Sequence, residues 1–221
     1  KRMVKKDKLS ELQANQAIDK IKTTTSLNDM KNVNLVIEAV TENLDVKASI
    51  FRELDSVTKN ECILASNTSS ISINRLAQHT NRPTKVIGMH FMNPVPIMKL
   101  VEVVTTDHTS KETIEIVHSV AKSLDKEPIQ CSDYPGFVSN RILIPMINEA
   151  IYALHDGVAT ANSIDRIMQL GMSHPMGPLA LADLIGLDVC LSIMNVLKDG
   201  FNGDPKYEPC PLLVMMCDQG K

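Results

Sequence analysis

The stretch "VIGMHFMNPVPIMKLVEVV", residues 86–104, sets His90 and Glu102 within two mainly apolar runs separated by prolines. A lone histidine on an apolar strand is usually a core residue with its hydrogen bonds met. A carboxylate beside it changes that weighing, because it fixes the tautomer and stabilises the imidazolium, as a general base requires. The connection "MNPVPIM" is too short for a helical crossover, which takes about a dozen residues or more, so the two runs must pair antiparallel. Pro96 is equidistant from His90 and Glu102. With Pro96 at the centre of the turn, the two side chains face each other within hydrogen-bond reach.

Other residues have chemistry to offer beside that pair. "SNTSS" (66–70) follows a buried run and would sit at the carboxyl end of a strand, where open α/β sheets take their ligands. Taken alone it reads as a polar loop and helix cap. "NRILIP" puts Asn140 and Arg141 in the first turns of a helix, which alone is ordinary helix-end polarity. Together, strand-end hydroxyls, a His–Glu pair and an interdomain Asn describe a cleft between two domains, a favoured place for a small-molecule site. His155 and His174 have no predicted carboxylate partner, and His79, His108 and His118 read as surface residues.

The elements that must position these groups alternate in period. "SELQANQAIDKI" opens with Ser10 and Gln13, a capping-box pair. "IKTTT" is a short strand candidate. "NLVIEAV" (34–40), "CILAS" (62–66) and "KVIGMHF" (85–91) are the continuous apolar runs of strands buried on both faces. Between them, residues 44–58 carry Val46, Ile50, Leu54 and Val57 at helical spacing, and "INRLAQ" makes a short helix. "KLVEVVTT", a helix over 110–124 capped by Ser110, and "EPIQC" complete a mostly parallel α/β sheet domain, residues 1–134. From "DYPGF" onward only helices are expected, with the boundary near Pro135–Gly136 and the second domain over 135–221. Gly157 stops the first long helix, and Thr160 caps a second that ends at Gly171.

Composition narrows the function classes. The chain has 221 residues, 43% hydrophobic and 22% charged, with a net charge of −3, as expected of a globular protein. Only 3% of residues are aromatic and none is Trp, which speaks against stacking on single-stranded nucleic acid. No apolar run approaches a membrane span and no secretory signal is visible. Five scattered cysteines without C-x-x-C point to a reduced intracellular compartment, without a disulfide framework or structural zinc. Peroxisome, mitochondrion and cytosol are not distinguished.

Taken in order, "LVIEAVTEN", "ILASNTSS", "GMHFMNPVPIMKLVEVV", "DYPGFVSNRIL" and "GLDVCLS" resemble the L-3-hydroxyacyl-CoA dehydrogenase family, in particular its short 3-hydroxybutyryl-CoA type. The resemblance runs over about residues 5–217. It implies a Rossmann-like sheet domain followed by an all-helical domain that makes a homodimer interface. It also implies reversible, NAD-dependent oxidation of the 3-hydroxyl of an acyl-CoA. On that resemblance His90 is the general base and Glu102 orients it. Ser69 and Asn140 hold the substrate oxygen, and Glu42, Lys47 and Asn93 make the nicotinamide-side contacts. Histidine's ordinary pKa near 6.5 suits it to take the alcohol proton near neutral pH. Basic residues among Lys1, Arg2, Lys5 and Lys6 would meet the phosphates of coenzyme A.

The sequence departs from that family in several places. No G-x-G-x-x-G occurs in the chain, so the strand–helix–strand unit that holds a pyrophosphate is missing and the Rossmann-like sheet is expected to be incomplete. A glycine- and lysine-rich tail after "DQGK" is also missing, and Ser139 stands where an apolar residue is more usual. The chain therefore reads as a fragment, expected to bind NAD weakly and to turn over little by itself. A non-catalytic acyl-CoA-binding or structural remnant of the same scaffold is the alternative. A two-domain dehydrogenase acting on other hydroxy acids fits "HFMNP" and "SNTSS" poorly.

Overall fold

The computed structural model describes Val4 and residues 9–220, so the coenzyme A contact expected of Lys1, Arg2, Lys5 and Lys6 lies outside the described residues. The first helix, α1 (Glu11–Asp19), has the predicted capping box, with Ser10 and Gln13 bonding reciprocally, but buries none of its residues. "IKTTT" is not a strand. Its Thr24 hydroxyl bonds Ser26 O and Asp29 Oδ2 at the start of a short 3₁₀ turn, a local side-chain alternative to ladder pairing.

Five strands follow, β1 (Leu35–Glu38), β2 (Ile63–Ser66), β3 (Val86–Phe91), β4 (Leu100–Thr105) and β5 (Glu127–Ser132), side by side in chain order. β1–β2, β2–β3 and β4–β5 pair in parallel, and β3–β4 pairs antiparallel. The parallel pairs are joined through α2 (Leu44–Val57), α3 (Ile73–Ala77) and α4 (Lys111–Ser123). Side chains alternate across a strand, so each strand feeds two cores. Leu64, Val86 and Val104 pack with Phe51 and Leu54 of α2 and with Ile73 and Leu76 of α3. Ile63, Ile87, Met89 and Val103 pack on the other face with Val117 of α4.

Beyond Ser132 the regular elements among the described residues are helical: α5 (Ser139–His155), α6 (Ala161–Gly171), α7 (Pro178–Ile185), α8 (Leu187–Gly200), a 3₁₀ turn (Pro205–Tyr207) and α9 (Pro211–Asp218). They share their own core, including Ile144, Ile147, Met194, Leu197 and Leu213. Within it the buried amide of Asn148 has both ends met, donating to Glu208 O at 2.9 Å and accepting from Cys210 N at 2.8 Å. The architecture is thus a Rossmann-like, mostly parallel sheet domain followed by an all-helical one. Among the described residues no single helix is long and apolar enough to cross a membrane.

The joint between the domains needs unusual backbone. Gly136 (φ +72°) and Phe137 (φ +50°) both lie in the left-handed region. Glycine suits position 136 because of its positive φ, and a Cβ there would also crowd Arg141 N at 3.1 Å and the tip of Leu197.

Closer to the His–Glu pair, Gly88 faces Val104 across the β3–β4 ladder. A Cβ there would sit 2.7 Å from Val104 Cβ and 3.1 Å from Ile73 Cδ1. Gly88→Ala must push β4 or α3 outward, and overpacking of this kind costs about 1–3 kcal/mol. Urea unfolding should show a lower midpoint at unchanged slope; an unaltered midpoint would mean the strands and α3 yield freely at this position.

Candidate active site

His90 and Glu102 are register partners across β3 and β4, as the short connection requires. His90 Nδ1 lies 2.8 Å from Glu102 Oε2, and the two side chains are only 10% and 5% exposed. The residues of β3 with the parity of Val86 face α2 and α3, and the end of that row brings the His90 ring edge-on to Phe137, centroids 5.8 Å apart. The joint between the domains therefore forms one wall of the site.

Glu102 has a complete set of donors. Oε1 accepts from Val138 N at 3.2 Å and Ser139 N at 2.9 Å, and Oε2 accepts from Ser139 Oγ at 2.7 Å. These donors sit at the start of α5, where free amides and the helix dipole favour negative charge. Burial by itself raises the Glu102 carboxyl, but the hydrogen bonds from His90 and Ser139 outweigh it and hold the group below the ordinary carboxylate value. An ionised Glu102 can only accept, so His90 donates from Nδ1, and in the neutral ring Nε2 then holds the lone pair. Cys131, on the neighbouring strand, is no rival nucleophile. Burial, with Glu102 and Asp133 adding to it, pushes its thiol up to about 11.

A second buried carboxylate cluster shapes the "SNTSS" loop. Glu38, at the end of β1, accepts from Lys47 Nζ at 2.7 Å, Val40 N at 2.6 Å and Ser66 Oγ at 2.6 Å. Lys47 also lies 3.3 Å from Glu42. Glu42 Oε1 in turn accepts from Ser69 N and Ser70 N, each at 3.1 Å, from Ser70 Oγ at 2.9 Å and from the Thr68 hydroxyl. Burial raises the Glu42 carboxyl, and the Thr68 and Ser70 hydrogen bonds with the Lys47 charge more than reverse it. Two more ties fix the loop. Asn67 Oδ1 accepts from Phe91 N at 2.9 Å, and Asn140 Nδ2 donates to Ser69 O at 3.0 Å, from the helical domain to the sheet domain.

The structure thus brings together His90, Glu102 and, through α5, Asn140 with Ser69. Glu42 is attached to the same loop. Lys47 is only 1% exposed and reaches the site through Glu42 rather than from the surface. Asn93 lies exposed in the turn after β3. Arg141 turns away, its guanidinium 4.6 Å over the Phe201 ring, which stacks on Tyr207. His118, read as a surface residue, is half-buried, and its Nε2 is buried without a partner.

Sequence reasoning missed three contributors. Glu38 lies inside the apolar run "NLVIEAV", and a charge there with a lysine in the next helix is the one signal of the buried pair. Asp133, just past β5, accepts from Ser72 Oγ at 2.7 Å and Asn74 N at 2.8 Å, so it fixes the start of α3. Ser139 was noted only as a small departure. An interdomain cavity of about 500 Å³ has Ser70, Ser72, Arg75, Asp133 and Asp199 in its wall, but not His90.

A mostly parallel sheet with an imidazole–carboxylate couple across its one antiparallel pair and a hydroxyl-rich loop at its strand ends, followed by a helical domain, defines a two-domain dehydrogenase scaffold. Residues 1–134 match "3-hydroxyacyl-CoA dehydrogenase, NAD binding domain" and residues 136–221 match "3-hydroxyacyl-CoA dehydrogenase, C-terminal domain". The chain belongs to the 3-hydroxyacyl-CoA dehydrogenase family. It is 53% identical over 212 residues to a probable 3-hydroxybutyryl-CoA dehydrogenase of Bacillus subtilis, covering 96% of this chain and 74% of that protein. It is 52% identical over 215 residues to the 3-hydroxybutyryl-CoA dehydrogenase of Clostridioides difficile, covering 97% and 76%. The crystal structure of (S)-3-hydroxybutyryl-CoA dehydrogenase PaaH1 from Ralstonia eutropha superposes with a TM-score of 0.96 at 49% identity, over 99% of this chain and 77% of that one.

The Glu38–Lys47 pair gives a direct test of the loop's foundation. Each side chain is 1% exposed, so Lys47→Met leaves a buried carboxylate without its counter-charge. Breaking such a pair costs about 3–5 kcal/mol. Chemical denaturation should show a loss of that size, with partial recovery when Glu38→Gln is added. A single variant as stable as the parent would show the pair to be dispensable.

Proposed function

We propose that this chain carries out the reaction of its family, the reversible oxidation of an (S)-3-hydroxyacyl-CoA such as 3-hydroxybutyryl-CoA to the 3-ketoacyl-CoA. The observation that carries this reading is the His90–Glu102 hydrogen bond, buried at the strand ends with its carboxylate fully satisfied. In the oxidative direction the substrate hydroxyl meets His90 Nε2. As C3–H breaks with its electron pair, the O–H bond breaks, its proton passes to Nε2 and C3=O forms. Glu102 stabilises the resulting imidazolium, which in so apolar a site would otherwise be costly. Ser69 and Asn140, already tied to each other, hold the reacting oxygen.

The residues present suit the nicotinamide end of NAD. The carboxyl ends of the parallel strands, where open α/β sheets bind their ligands, are edged by Ser69, the partly exposed Glu42 and the exposed Asn93. Glu42 and Asn93 would hold that end, with Lys47 acting through Glu42. NAD, when bound, supplies the acceptor for the hydride leaving C3. No G-x-G-x-x-G lies within the 221 residues, so cofactor affinity and turnover of the chain by itself should be low.

NADH consumption with acetoacetyl-CoA tests the reading. We expect a small rate that needs a high NADH concentration, and loss of about 10²–10⁴-fold, to background, in His90→Gln and in Glu102→Gln. Acetoacetyl-CoA should still bind both variants with the parent's affinity. Binding without any His90-dependent rate would favour the non-catalytic reading. A robust rate at low NADH would show that the chain needs no glycine-rich cradle.

We also propose that the helical domain pairs with a second copy of the chain. Helix α6 exposes Ile167 and Leu170, with Met172 just beyond, at 59%, 72% and 63%. An apolar strip of this kind calls for cover. Sedimentation should give a dimer that Leu170→Glu converts to monomer. A monomeric parent would refute the pairing.

A further inference from the structure

Ser139 makes a contact that the assigned roles do not use. Its hydroxyl donates to Glu102 Oε2 at 2.7 Å, the same oxygen that faces His90 Nδ1 at 2.8 Å. The backbone N–H of Ser139 holds the other oxygen at 2.9 Å, and Val138 N–H adds to it at 3.2 Å. One residue, the first of α5, therefore grips both oxygens of a carboxylate that belongs to the sheet domain.

We propose that Ser139 is a positioning residue for the proton-transfer couple, acting through Glu102 to aim its carboxylate at His90 and to set the pH at which the couple works. The proposal rests on the reading of His90 as base.

An ionised carboxylate offers about four acceptor sites, and here four donors take them. Hydrogen bonds to its charged form draw electron density from Oε2 and favour the ionised state. Because the same oxygen stabilises the imidazolium, a donor on it weakens the pull on the proton at His90. Taking the hydroxyl away raises the proton affinity of the couple, which titrates as a pair. The sign follows. For alcohol oxidation the working form has the couple deprotonated, so loss of the hydroxyl moves the acid limb of the pH–rate profile to higher pH.

Few other groups compete for this effect. From β3 the carboxylate faces His90. From β5 it is felt by Cys131, whose thiol burial pushes up to about 11 and so keeps protonated throughout the working range. Asp133 lies beyond Cys131, with one oxygen committed to Ser72 and Asn74. From α5 the contacts are the uncharged Val138 and Ser139.

Valine and threonine have nearly the same shape and differ by the hydroxyl, so Ser139→Val and Ser139→Thr separate the hydrogen bond from packing. Two readouts are taken on the 221-residue chain: kcat/KM against pH with 3-hydroxybutyryl-CoA and saturating NAD, and the carboxyl ¹³C titration of Glu102, which needs no turnover. In Ser139→Val we expect both to move to higher pH by about half a unit to one unit. Below the limb kcat/KM should fall about 3–10-fold, one unit being tenfold. It should recover toward the parent at high pH, with KM little altered. Ser139→Thr should keep the parent profile. Superposable Glu102 titrations in parent and Ser139→Val would overturn the role of Ser139 whatever the activity. A shifted titration in a chain with no His90-dependent turnover would leave the Ser139–Glu102 coupling standing and remove the reading of His90 as base. If Ser139→Val does not fold, Ser139→Ala takes its place, with the same outcome deciding.

Discussion

A buried negative charge at the junction of two domains is the constraint from which the rest of the site follows. Glu102 sits in the first half of β4, between β3 and β5, and is only 4% exposed, so an unpaired carboxylate there would not remain ionised. Four donors keep it so, and they come from two sources. His90 reaches it only because β3 and β4 pair antiparallel in one register. Val138 and Ser139 reach it only because the chain after β5 turns through Gly136 and Phe137 and delivers the first amides of α5 to the carboxylate. α5 lacks a side-chain N-cap of its own, so the glutamate of the other domain serves its free amides. Each domain completes a hydrogen-bonding need of the other.

The loop after β2 follows the same logic with a different carboxylate. Glu42 gathers the amides of Ser69 and Ser70 as Glu102 gathers those of α5. Its charge is balanced from below by Lys47, which shares itself with Glu38. Glu42 and Glu102 thus give the backbone amides of the loop and of the start of α5 fixed acceptors. The backbone of Ser69 is held by this framework, and the Asn140 amide is tied to it through Ser69 O. Preorganisation of that kind is what a proton-transfer site needs, since the groups around the reacting oxygen then do not have to be ordered during the reaction.

Much of this was legible in the sequence, for local reasons. A connection as short as "MNPVPIM" excludes a crossover, and equal spacing about Pro96 then gives the His90–Glu102 register that the structure has. Ser110 and Thr160 cap their helices as their types and positions require. The failures are non-local. Glu38 and Ser66 are joined across β1 and β2, and nothing in either segment names the other. Ser139 looks like an ordinary residue at a helix start until the fold brings a carboxylate from another domain against it. "IKTTT" has strand composition, but its threonine finds a local partner in Asp29, and composition alone does not weigh that competition.

The shared carboxylate also ties the chemistry to the docking of the domains. With α5 in place, Glu102 is held toward its ionised form and accepts from His90 Nδ1. With α5 withdrawn, Glu102 loses both amide donors and the Ser139 hydroxyl at once, while Asn140 leaves Ser69. Of the interactions that hold the carboxyl down, only those from His90 would then remain, so the Glu102 charge would be less well supported. Three of the four donors to Glu102 and the Asn140–Ser69 tie therefore all depend on the seating of α5. The histidine and the glutamate, though neighbours on one sheet, thus share their carboxylate with a helix from the other domain.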